Sequence, residues 1–95
     1  MPFSRQQPRL FNKQNVENLL PNQNGVYGLF KQGQCIYIGK GDIRTRLLTH
    51  LNNDNPCISR SLPTHWVDEV IQGDPSNREK QLILELQPSC NLKVG

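Results

Sequence analysis

Residues 24–41 read NGVYGLFKQGQCIYIGKG. Two short apolar runs, each holding a tyrosine, flank one small polar turn, which is the pattern of a β-hairpin. The strands fall at about 25–30 and 34–39, and the loop between them decides which side chains meet. A two-residue loop, Gln32-Gly33, would set Tyr27 opposite Ile38 and leave Tyr37 on the other face. A three-residue loop, Lys31-Gln32-Gly33, would put Gly33 at the left-handed position such loops favour. It would set Tyr27 opposite Tyr37 and Val26 opposite Ile38. The three-residue loop is the preferred reading. It yields one apolar face (Val26, Phe30, Ile36, Ile38) and one face that carries both tyrosines.

The chain around this hairpin is short. Its 95 residues fit one small domain, expected over 11–95, preceded by a polar extended arm over 1–10 with Pro2, Arg5, Pro8 and Arg9. Lys and Arg number 11 against 8 Asp and Glu, a net charge of +3, which permits a nucleic-acid partner without demanding one. No apolar stretch approaches the ~20 residues of a membrane span. The first ten residues lack the apolar run of a secretory signal. Cys35, Cys57 and Cys90 are odd in number, far apart and free of any CxxC pair, so neither a zinc ribbon nor a disulfide framework is expected. Reduced thiols and a cytoplasmic location follow as the simplest expectation.

Helices bracket the hairpin. Asn12 can cap a short helix in FNKQNVENLLP, with Phe11 stapled onto Val16 and with Val16, Leu19 and Leu20 on one face. Asp42 can cap a second helix, 43–51, whose buried stripe is Ile43, Leu47 and Leu51. Arg46 and His50, four apart, lie side by side along the margin of that stripe. Residues 52–64 read as a polar loop with turn signals. A third strand is expected at 65–71 and a last helix at 77–87, ended by Pro88. The order predicts an α+β fold with a three-stranded antiparallel sheet flanked by helices.

Glu79 is the residue in this chain that most needs explaining. It precedes Leu82, Ile83 and Leu86 by three, four and seven residues, so it falls in the middle of the apolar face of the last helix. Burying a carboxylate there without a partner is costly. Two readings stand. In the first, Ser76-Asn77-Arg78-Glu79 is a capping box and Glu79 reaches back to the Ser76 N–H. In the second, Glu79 is a ligand for a divalent cation.

These residues together resemble a known family. GVY, nine residues, YIG, then GKGDIRTRLLTH, a glutamate opening a later helix and an asparagine near the end are similar to the GIY-YIG nuclease domain. The likeness runs from Gly25 to Asn91. Valine stands for the family's isoleucine, and the spacings between motifs are slightly short. The resemblance implies a phosphodiester hydrolase, an endonuclease that uses Mg2+ or Mn2+ on nucleic acid, with DNA favoured over RNA. It implies Tyr27 as general base, Tyr37 as a positioner of water or phosphate, and Arg46 on the scissile phosphate. It also implies His50 in support of the nucleophile, Lys40 at the substrate, Glu79 on the metal and Asn91 in support of the site; Arg44 is a candidate substrate contact by its charge alone. Arg5, Arg9, Arg60 and Lys93 are further candidate phosphate contacts, which would position rather than specify. A homodimer or a targeting partner protein would be routes to specificity, since no recognition domain is visible. The alternative is a module on the same fold that binds nucleic acid or protein without cutting.

Overall fold

A computed structural model describes residues 3–91. The elements are β1 (Arg9–Leu10), α1 (Lys13–Glu17), β2 (Asn24–Lys31), β3 (Gln34–Asp42), α2 (Ile43–Leu51), α3 (Pro56–Ser61), β4 (His65–Val70) and α4 (Ser76–Leu86). The sheet is antiparallel, in the order β1-β4-β2-β3. The expected α+β class is borne out, with one strand more than expected. Arg9 and Leu10, placed by sequence in an extended arm, pair with Trp66 and His65 on the outer edge of β4. A two-residue strand leaves no periodicity to read.

The hairpin corrects the expected register. Its loop is Gln32-Gly33, both residues at positive φ, 51° and 78°, in the sense that matches strand twist. Lys31 therefore pairs with Gln34, and Phe30 with Cys35. A bulge then intervenes: the next pair is Leu29 with Tyr37, so Ile36 is an extra residue on β3. Tyr27 consequently faces Gly39, and Val26 faces Lys40. The bulge restores the phase that the shorter loop would have lost. Tyr27 and Tyr37 share a face after all, as diagonal neighbours rather than a direct pair. The bulge also moves Ile36 off the expected apolar face and into the cluster of Tyr27 and Leu29.

Both faces of the sheet are covered. On one, Val16 of α1, Ile43 and Leu47 of α2 and Ile58 of α3 pack on Tyr27, Leu29, Ile36 and Trp66. On the other, Phe3 and Leu82 of α4 pack on Val26, Ile38 and Val67. Leu82 is fully buried, worth about 1.5–3 kcal/mol, and this anchors the helix that carries Glu79. Asn12 caps α1 as expected, accepting the Asn15 N–H. Leu20, expected on its apolar face, lies past the end of the helix and is exposed. Residues 56–61, expected as loop, are helical because Asn55 caps them and Pro56 opens them.

The cysteines also correct the expectation. Cys57 of α3 and Cys90 form a disulfide across 33 residues of chain. Sequence distance hid a pair that the fold brings together, and the argument for a cytoplasmic location from unpaired thiols goes with it. Cys35 is the free thiol, and burial pushes its pKa up to about 12. Among the described residues no helix is long and apolar enough to cross a membrane. Closing a loop of that length constrains the unfolded chain by about 2–4 kcal/mol. Reduction, or Cys57→Ser, is therefore expected to lower unfolding stability by about that amount. Urea curves with and without reductant check it; coincident curves would contradict it.

Candidate active site

The site begins where β3 runs into α2 without a loop. The Asp42 side chain accepts the Thr45 N–H at 3.0 Å, which starts the helix on the residue after the strand. That start fixes the phase of α2, so that Arg46 and His50 approach the tyrosine face of the sheet. Tyr27 is fully buried, and its hydroxyl lies 2.7 Å from His50 Nε2. The register sets Gly39 against the Tyr27 ring, where a Cβ would overlap the hydroxyl. Glycine is thus required at the end of the YIG triplet by close approach. The Tyr37 ring is 6.3 Å from that of Tyr27 and 5.2 Å from that of His50, centre to centre. His50, expected at the margin of the helix stripe, is itself buried.

A residue that sequence reading missed completes this cluster. Asp54 Oδ1 is 2.9 Å from His50 Nδ1. Asp54 follows the C-cap Asn52 and Asn53, which is in the left-handed region at φ 63°. It precedes Asn55, whose side chain accepts the Cys57 and Ile58 N–H groups to cap α3. The NNDN turn between two helices therefore folds the carboxylate back onto the last turn of α2. The available signal was the four-residue spacing of His50 and Asp54.

Burial dominates the proton affinities here. It raises the Tyr27 phenol well above the usual range, with Tyr37 adding to the rise. The Arg46 guanidinium beside the hydroxyl pulls the other way, by hydrogen bond and by charge. Tyr37 is raised chiefly by burial, with Arg46 opposing and Glu79 and Asp54 adding. His50 is lowered by burial, although Asp54 favours its charged form. The resting cluster is therefore a neutral phenol, a neutral imidazole and a carboxylate in line. Tyr27→Phe would leave His50 Nε2 buried without its partner. It is expected to lower stability by about 1–3 kcal/mol, read as a drop in the urea midpoint; an unchanged midpoint would contradict this pairing.

Glu79 approaches from α4, on the far side of the edge strand β3, close enough for its charge to raise the Tyr37 phenol. The capping box does not form. Ser76 lies inside the helix; its N–H goes to Asp74 Oδ1 at 2.9 Å, its hydroxyl donates to the same oxygen at 2.7 Å, and Pro75 occupies the cap position. Among the described residues the half-buried Glu79 carboxylate has no hydrogen-bond or ion-pair partner. Nor do they hold a group of three or more metal-binding side chains. A lone carboxylate suits Mg2+, which takes one or two protein carboxylates and fills its shell with water and phosphate oxygens. The donor set present fits that ion.

The solved structures similar to this chain include the GIY-YIG N-terminal endonuclease domain of UvrC from Thermotoga maritima. One, with its catalytic magnesium bound, superposes with a TM-score of 0.73 at 26% identity over 84% of this chain and 96% of that one. A tyrosine-to-phenylalanine mutant of the same domain, bound to its divalent cation, gives 0.73 at 26% identity over 85% and 96%. The fold is that of the GIY-YIG nuclease domain. The sequence-based resemblance is borne out, and with it the class of endonuclease, a phosphodiester hydrolase. No protein-family model matches the sequence, and neither does any curated protein.

Within this GIY-YIG fold, Tyr27, Tyr37, Arg46 and His50 stand together, and Glu79 is within electrostatic reach of them. The remaining candidates are spread around them. Lys40 follows the YIG triplet and donates to Ser76 Oγ at 2.6 Å, tying β3 to the start of α4. Arg44 lies by Asp42, whose pKa is lowered chiefly by its hydrogen bond with Thr45, with the Arg44 charge a minor addition. Asn91 spends its amide on the backbone of Ile38: its oxygen accepts the N–H at 2.6 Å and its nitrogen donates to the carbonyl at 2.8 Å. It thereby clamps the free edge of β3 one residue beyond Tyr37. Arg9 is committed elsewhere, paired with Asp68 at 2.8 Å and stacked on Trp66. Arg5 and Arg60 are exposed, and Lys93 lies outside the described residues.

Proposed function

We propose that this chain is a divalent-metal-dependent endonuclease that hydrolyses phosphodiester bonds in DNA. The observation that supports this most is the gathering of two phenols, a guanidinium and an imidazole near Glu79, a carboxylate with no partner among the described residues. Arg46 binds the scissile phosphate, offering planar and permanent donors to oxygens that gain charge in the transition state. Tyr27 takes a proton from the attacking water as its own proton passes to His50 Nε2. The bond from the water oxygen to phosphorus forms while the bond to the leaving sugar oxygen breaks, and that oxygen is protonated from solvent. Handing the proton on matters because a buried phenol resists becoming a free phenolate. Tyr37 orients water or phosphate beside it. Glu79 holds the cation. When bound, that cation polarises the phosphate and stabilises the leaving oxygen. Lys40 and Arg44 extend the positive wall toward the flanking phosphates, and Asn91 keeps the strand beneath Tyr37 in place.

The test is incubation of the chain with supercoiled plasmid, single-stranded DNA, branched DNA and RNA, with Mg2+ or Mn2+ and with chelator. Metal-dependent cleavage of a DNA substrate is expected, and it stops when chelator is added. Binding with no cleavage under any metal would overturn the reading in favour of a non-cutting module. Preferential cleavage of RNA would overturn the choice of DNA.

A further inference from the structure

The geometry points to Asp54 as a positioning residue that sets which nitrogen of His50 carries the proton, and so aims the Tyr27 hydroxyl. This inference rests on the nuclease reading for its effect on rate, but its structural half stands apart from it. The two imidazole nitrogens of His50 each have one partner, Asp54 Oδ1 at 2.9 Å and Tyr27 Oη at 2.7 Å. An ionised carboxylate only accepts hydrogen bonds. Nδ1 must therefore carry the hydrogen and donate it to Asp54. In the neutral ring that leaves Nε2 bare, so it can only accept. The Tyr27 O–H consequently points at His50, and the phenol's lone pairs are left for Arg46 and, on the nuclease reading, for the attacking water. With the opposite tautomer Nε2 would donate to the phenol oxygen and occupy a lone pair that the attacking water needs.

The surroundings support this one-way chain. His50 is 3% exposed, so water is not a ready substitute partner on the ring. The Asp54 side chain is 30% exposed, which keeps its carboxylate solvated on the side away from the ring. The other polar groups facing the ring are the phenol of Tyr37 and the guanidinium of Arg46, and the guanidinium can only donate. Among the described residues Asp54 has the one carboxylate bonded to His50. When His50 takes the phenol proton, the imidazolium then has an anion already placed at its far nitrogen.

The experiment uses the whole chain labelled with 15N at its two histidines, with His65 as internal reference and His50→Gln for assignment. At about pH 8 the neutral ring is read directly. The unmodified chain is expected to show His50 with a protonated Nδ1 and a bare Nε2. Asp54→Ala is expected to move the proton toward Nε2 and to lower kcat about 10- to 100-fold with KM within about twofold. Circular dichroism and urea unfolding verify that this variant is folded. If it is not, Asp54→Asn, whose amide can donate to Nδ1, takes its place and is expected to shift the tautomer the same way. A protonated Nε2 in the unmodified chain, an unchanged tautomer in the folded variant, or an unchanged kcat would each overturn the proposal. Absence of cleavage by the unmodified chain would sink the nuclease reading, and the spectrum would still decide the orientation of His50.

Discussion

Arg46→Ala is expected to lower cleavage by about three orders of magnitude or more with the fold intact. A guanidinium aimed at a phosphoryl group in its transition state is worth about that much where it has been removed from other enzymes. The structural cost is small by comparison. Arg46 sits on α2 as a half-buried side chain beside the Tyr27 hydroxyl. Alanine is a better helix former than arginine, and Tyr27 keeps His50 as its buried partner. The unfolding free energy should therefore change by no more than about 1 kcal/mol. Arg46→Lys should recover only part of the rate, because an ammonium lacks the planar fork. Single-turnover cleavage alongside urea unfolding separates the two effects. Cleavage within about tenfold of the unmodified chain would remove Arg46 from the catalytic machinery.

Glu79→Gln is expected to abolish metal-dependent cleavage while leaving stability almost untouched. The amide has the same shape and stays in the same turn of α4, but it carries no charge to hold a cation. Among the described residues nothing hydrogen-bonds to the carboxylate, so no internal bond is lost. The one stabilising contribution at risk is that of an acid in the first turn of a helix, about 0.3–1 kcal/mol. A variant that unfolds would show that Glu79 is there for the helix and not for an ion. A variant that cuts normally with Mg2+ would show that the cation is held elsewhere.

Much of this site could be read before the coordinates because its residues sit on elements with strong local signals. Asp42 is a good cap on a periodic helix, and once that helix is placed, Arg46 and His50 follow by spacing. Glu79 stood out because a carboxylate in the middle of an apolar stripe needs a reason. The misreadings have a common physical origin: each depended on contacts that local pattern does not encode. The extra residue at Ile36 leaves no compositional mark, yet it decides that both tyrosines share a face. The bond between Cys57 and Cys90 joins segments that meet only after the sheet forms. Asn55-Pro56 looks like a turn and is also a good helix start, and six residues were too few to show which. Asp54 was hidden inside that same turn, although the spacing from His50 was on view.

The most direct test of the account is a crystal of the chain grown or soaked with Mn2+ and measured at the manganese edge. A single anomalous peak about 2.1 Å from a Glu79 carboxylate oxygen, on the side of the cleft shared with Tyr37 and Arg46, is the predicted result. A Glu79 side chain turned back along its own helix, with no peak beside it at high Mn2+, would contradict it.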